Sequence, residues 1–227
     1  MIVNSGIRRF LGSRGGIPIA NRAAHFDAAV GITESGGFAS AWADQSGNGR
    51  NLLQASGANQ PAYDTTGGIP SLIFNGTSHY MKTAPFTLNQ PETVYLVAKQ
   101  LTWGNRYLHD GNAVDSLVLF QNTASPKLAL YAGSFSGNNS QATIGSKVVI
   151  TEVFNGATPV LRVNLGTEVT SGNVGATNAG GFTLGANAGG ASWANIQVYE
   201  VLIYAAAHDA ATRANIARAL MSKHGVA

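Results

Sequence analysis

From residue 26 onward the chain is a succession of short runs rich in β-branched and aromatic residues. The clearest are 71–74, 93–98, 117–120, 128–131, 148–154, 160–163 and 196–204. They are separated by clusters that favour tight turns, among them Asn75-Gly76, Asp110-Gly111-Asn112, Ser136-Gly137-Asn138 and Asn155-Gly156. Runs this short, punctuated this often, cannot form long helices; they predict an all-β chain of antiparallel strands joined by tight connections. The composition agrees, because 28 glycines and only 11% charged residues suit turns and leave little for charged surface helices or a solvated tail. One helix is expected, at the end: Asp209 can cap it, Ile216, Ala219 and Leu220 share a face, and Gly225 stops it. Segment 166–192 is rich in Gly, Asn and Ala but is interrupted by Phe182-Thr183-Leu184-Gly185, so it reads as loops around one strand. No break in composition marks a second domain within the 227 residues.

The chain has no cysteine, which removes disulfides and thiolate metal sites. The first residues hold no apolar run of signal-peptide length, and no 18 uninterrupted apolar residues occur anywhere, so neither export nor a membrane partner is expected. The net charge of +3 is unevenly placed: Arg8, Arg9, Arg14 and Arg22 all precede the first acid, Asp27, and the rest of the chain is close to neutral. Residues 1–25 therefore read as an extended basic arm suited to docking on a partner, and residues 26–227 as the folded domain. A near-neutral body without clustered Lys or Arg argues against nucleic acid.

Between two strand-like segments lies Trp42-Ala43-Asp44-Gln45-Ser46-Gly47-Asn48-Gly49-Arg50-Asn51. Gly supplies backbone angles closed to other residues, and Asp, Ser and Asn bond back to nearby amides, so this is a rigid corner with one large ring set in the core. Trp42, Asp44, Ser46 and Asn48 are its structural residues. The block resembles the opening signature of laminin-G-like (concanavalin A-like) jelly rolls of bacteria and phages. Phe26-Asp27-Ala28-Ala29, Phe74-Asn75-Gly76 through Met81, Phe182 to Ala186, and 196–204 with the closing helix stand in the family's order. The resemblance implies a two-sheet antiparallel sandwich. Glucanases on that fold carry a Glu-x-Asp-x-(x)-Glu run, whose alternate side chains share one sheet face and flank a glycosidic bond. This sequence has no such run. Glu152 and Glu200 are isolated acids in strong strands and are expected to face solvent.

The remaining candidates are few. Asp44 with Asn48 offers oxygens to a calcium ion, or else forms the turn alone; without a dense Asp-x-Asp pattern no metal is expected. Ser78-His79 lacks a Gly-x-Ser-x-Gly elbow, and the five histidines never fall two to four apart, so no catalytic residue, cofactor or zinc pattern emerges. Trp103, Asn105, Arg106 and Tyr107, joined by Trp193 from another Gly-rich loop, form the better ligand candidate. Sugar rings stack on aromatics while Asn and Arg donate to hydroxyls, although such rings also serve as core plugs or interface anchors. Two functional expectations result. The first is a non-enzymatic virion protein of a tailed phage, made in the host cytoplasm, docking through its arm on capsid or tail subunits as a homo-oligomer. The second is a lectin-like module that binds a host-surface glycan.

Overall fold

The computed structural model describes residues 17–122 and 126–227. Arg8, Arg9 and Arg14 lie outside the described residues. The strands are β1 (Arg22–Asp27), β2 (Ile32–Ser35), β3 (Phe38–Trp42), β4 (Leu52–Leu53), β5 (Ala62–Asp64), β6 (Ser71–Asn75), β7 (Met81–Thr83), β8 (Glu92–Gln100), β9 (Tyr107–Asp110), β10 (Val118–Gln121), β11 (Leu128–Tyr131), β12 (Lys147–Phe154), β13 (Val160–Val163), β14 (Thr183–Leu184) and β15 (Asn195–Tyr204). The chain closes on α1 (Ala210–His224). Among the described residues no helix is long and apolar enough to cross a membrane.

All the strands pair antiparallel in one ladder, running β11-β10-β9-β14-β7-β4-β3-β5-β6-β15-β8-β12-β13, with β1 added to β15 and β2 to β3. The ladder curls back on itself: His109 in β9 and Glu152 in β12, far apart along the path, meet side chain to side chain at 2.7 Å. Its ends are bridged by segment 169–172, where Val169 pairs with Leu161 and Gly172 with Ser136. The sheet is thus nearly closed, and few strand edges are left bare.

Inside sits one large core. Alternation along β8 turns Val94, Leu96 and Ala98 inward, while Tyr95 and Val97 face outward onto α1 with Leu202, Tyr204, Ile216 and Leu220. A bulge between Val198 and Glu200 shifts the phase of β15, so Tyr199 and Glu200 both lie on the helix side. The Asp209 carboxylate caps α1 by accepting from the Thr212 N–H at 2.7 Å, and Gly225 ends it at φ 61°.

Ion clusters tie both ends of the helix to the sheet. Arg213 makes a bidentate pair with Glu168 (2.9 and 2.6 Å), with Arg162 at 3.2 Å from the same carboxylate. Lys223 and His224 reach Glu200. The buried helix face is Arg213, Ile216, Ala217, Leu220 and His224, so Ala217 rather than Ala219 completes it.

Three expectations are corrected here. The boundary drawn at residue 26 falls inside β1, whose Ala23 and Ala24 are already buried. Glu152 and Glu200 do not face solvent: they are 0% and 1% exposed. The reason is that β12 and β15 are central strands covered on both faces, so alternation there separates two buried sides rather than inside from water.

Candidate functional site

The loop ends around β6, β8 and β15 build a small groove. The Asn75 side-chain oxygen accepts the backbone N–H groups of Thr77, Ser78 and His79 at 2.9, 2.9 and 3.1 Å, which locks the turn after β6. Gly76 lies at φ 74° within that turn, and a Cβ there would stand 2.8 Å from the Asn195 Cβ, so only glycine lets the turn lie flat against the start of β15. After β8, the N–H groups of Leu101 and Thr102 both donate to the Asn195 carbonyl. Trp103 comes next, half-buried against the core, its indole N–H donating to the Asn122 carbonyl at 2.8 Å. The Arg106 carbonyl accepts from Gln121, and Tyr107 donates to the Ser192 carbonyl, which brings Trp193 alongside.

The outcome is a groove of about 180 Å³ lined by Asn75, Thr102, Trp103, Arg106, Trp193 and Asn195, with Gly76 and Gly104 in its wall. Both indoles are half-buried, and the Trp193 Nε1 has no hydrogen-bond partner. Of the five residues expected from sequence, the structure brings Trp103, Arg106 and Trp193 together here. Asn105 is an exposed left-handed turn residue at φ 54°, outside the groove lining. Tyr107 donates its hydroxyl to Asp115 at 2.7 Å and packs its ring against Phe120. Asn75, Thr102 and Asn195 join the site without any sequence signal for that role. The Asn75-Gly76 pair is legible as a turn, but nothing local shows that it rests on Asn195.

The Trp42 corner is built differently. Trp42 is fully buried, its ring 5.8 Å from that of Phe26. The Asp44 carboxylate accepts from the N–H groups of His25, Ser46 and Arg50 and from the Ser46 hydroxyl, all within 3.0 Å. Burial pushes this carboxyl up, but those bonds outweigh it and hold it below the usual aspartate value. Ser46, Asn48 and Arg50 donate to the carbonyls of Arg22 and Ala23, so the corner straps β1 in place. Arg22, the one arm arginine within the described residues, donates to the carbonyls of Ile17 and Pro18. A second groove, about 320 Å³, runs beside the corner, but its Arg50 guanidinium is occupied by the Ala23 carbonyl and lies 4.1 Å over the Phe86 ring.

Three glutamates are buried in the sheet. Glu200 accepts from His25 Nε2 at 2.8 Å, and its other oxygen lies 2.6 Å from both His224 Nε2 and the Lys223 ammonium, which also contacts Asp27 at 2.7 Å. Burial pushes the Glu200 carboxyl up; the hydrogen bonds from His224, His25 and Lys223 and the Lys223 charge overcome this and hold it far below the ordinary value. Ligand atoms of His25, Asp27 and Glu200 lie within 4.8 Å of one another, a spacing that suits a metal ion, and the Lys223 ammonium already bonds both carboxylates.

Glu152 meets His109 inside the barrel, where burial raises its carboxyl despite that partner. Glu92, at the start of β8, has neither oxygen bonded, and burial pushes it up to about 8. Ser78 and His79 do not pair: the serine hydroxyl donates to Ala58 and the imidazole faces the Ile73 carbonyl.

No protein-family model matches this sequence, and no curated protein is similar to it. Solved structures share the fold. A sialidase from Trypanosoma rangeli in complex with sialic acid superposes at TM-score 0.68 with 15% identity, over 92% of this chain and 34% of that one. This chain therefore spans about a third of the sialidase. The binding domain of Paraclostridial Mosquitocidal Protein 1 gives TM-score 0.63 with 11% identity, over 89% of this chain and 53% of that one. Domain 4 of AbnA, a GH43 extracellular arabinanase from Geobacillus stearothermophilus, in complex with arabinotriose, gives TM-score 0.61 with 15% identity, over 87% of this chain and 98% of that domain.

Proposed function

We propose that this chain is a non-catalytic carbohydrate-binding module with a concanavalin A-like jelly-roll architecture, and that the Trp103–Trp193 groove is its sugar site. The observation that carries the reading is the convergence of two half-buried indoles with Arg106, Asn75 and Asn195 on one groove, assembled from three separate chain segments. Indole faces suit the C–H surface of a sugar ring, and the polar side chains supply hydroxyl contacts around it. The groove is smaller than the ~300 Å³ lower end of ordinary ligand pockets, so it fits one ring of a longer chain. The likeness in fold to a domain solved with arabinotriose, matched over nearly its full length, supports the same class and says nothing of which sugar.

The non-catalytic part rests on the acids. Among the described residues no carboxylate lines the groove, Glu152 points into the core at His109, and Glu200 lies on the opposite face of the sheet beneath α1. A glycosidase needs two carboxyl groups flanking one bond. The virion reading gains no support from the described residues, since Arg22 is bonded within its own chain.

A glycan array read with the wild-type protein, Trp103→Ala and Trp193→Ala tests the proposal. A bound glycan should lose at least about tenfold in affinity with either variant, as a lost stacking contact would give. The same glycan, incubated with the protein, should release no new reducing ends. Absence of any bound glycan, or binding unchanged in both folded variants, overturns the reading.

A further inference from the structure

Resting on that sugar site, we infer that the groove selects a carboxylate-bearing sugar, a uronate or a sialate, and that Arg106 is the residue that reads the charge. The first ground is the state of the arginine. Arg106 is exposed at the groove, and its guanidinium makes no hydrogen bond or ion pair with any described residue. The other arginines near candidate surfaces are engaged: Arg50 by Ala23 and Phe86, Arg22 by Ile17 and Pro18, Arg162 and Arg213 by Glu168.

The second ground is the absence of a competing anion. None of the groove's lining residues is acidic. The two acids close in sequence are engaged elsewhere: buried Asp110 accepts the N–H groups of Gly111, Asp115, Ser116 and Ala188, and Asp115 accepts the Tyr107 hydroxyl. Among the described residues an incoming carboxylate meets a free cation and no like charge at this groove. The third ground is geometric. A guanidinium presents a planar fork of donors that matches both oxygens of a carboxylate, a pairing stronger than any single bond to a neutral hydroxyl. Asn75 and Asn195 are left for the uncharged part of the sugar.

Two recognition tasks are thus divided within one groove: the indoles and amides hold a ring, and Arg106 chooses its charge. Titration calorimetry with four probes tests it: oligogalacturonate, its methyl ester, 3′-sialyllactose and its methyl ester. At least one carboxylate probe should bind about tenfold or more tightly than its neutral counterpart, the ratio expected of a charge-assisted hydrogen bond. Which of the two pairs shows the ratio identifies the sugar as uronate or sialate. Arg106→Gln should bring each acidic probe down to its neutral counterpart, and Arg106→Lys should recover only part of the preference. Raising the salt concentration should weaken the acidic probe alone.

Equal binding of a sugar and its neutral counterpart, or a preference that survives in Arg106→Gln, overturns the charge-reading role and leaves the sugar site standing. Failure of every probe, together with an empty glycan array, removes the sugar site itself. Arg106 is exposed, and the folded state of each variant is confirmed independently by its thermal transition.

Discussion

Replacing Glu92 by Gln should change how the stability of this protein depends on pH. Glu92 is 0% exposed and neither carboxyl oxygen has a partner, so only the neutral form is tolerated inside, and burial pushes it from the ordinary 4.5 to about 8. Below pH 4.5 the carboxyl is protonated in both the folded and the unfolded chain, and the site costs nothing that varies with pH. Above 4.5 the unfolded chain sheds the proton while the folded chain keeps it. Each further pH unit then costs about 1.4 kcal/mol until the folded group also ionises near pH 8. The whole span is worth roughly 3–5 kcal/mol, a large part of the ~5–15 kcal/mol by which domains are stable.

Gln keeps the size and cannot ionise. Urea unfolding of both proteins from pH 4 to pH 9 should show the wild type losing stability relative to Glu92→Gln across pH 5 to 8, followed by a plateau. In melting temperature the gap should widen by about 6–20 °C, at ~2–4 °C per kcal/mol for a domain this size. The buried amide carries a cost of its own, but that cost is independent of pH, so the slope is the diagnostic and not the offset. Glu152, whose carboxyl burial also raises, contributes equally to both curves, provided it does not couple to Glu92. Parallel curves for the two proteins would refute the argument and mean that Glu92 finds a partner or water.

Glu200 should behave in the opposite sense: its carboxyl is held low, so its contribution is complete above the unfolded value of 4.5 and fades as pH falls, and Glu200→Gln should flatten the acid limb while costing about 2–4 kcal/mol at neutral pH, because His25 and His224 lose their carboxylate partner and Lys223 keeps Asp27 alone. Calorimetry of wild type and variant between pH 3 and 7 checks it. Asp44→Ala should cost about 2–4 kcal/mol, because three backbone N–H groups and the Ser46 hydroxyl lose one acceptor and the strap over β1 slackens. Hydrogen exchange should then quicken at His25 and Ser46, whose N–H groups bond Asp44 directly, before it does so at residues of β8.

Local chemistry was enough for much of this protein. Strands β6, β8, β10, β11, β12, β13 and β15 arise from runs of β-branched and aromatic residues between turn clusters, and α1 from its Asp209 cap and Gly225 stop, because those signals are carried by neighbours in the chain. The two-residue strands β4 and β14 are too short to show a period, and β2 is mostly exposed, so their pairing comes from the ladder they join. The candidate site was half legible: Trp103, Arg106 and Trp193 stand out as residue types, but Asn75, Thr102 and Asn195 gain their place only when the ends of β6, β8 and β15 come together. The acids show the limit most clearly. In sequence Glu92, Glu152 and Glu200 are three glutamates in β-strands. One is left alone in the core, one faces His109, and one is gripped by two histidines and a lysine. Their charge states depend on which side of a doubly covered sheet each faces and on what meets it there. A local pattern cannot carry that, because the partners lie tens of residues away along the chain.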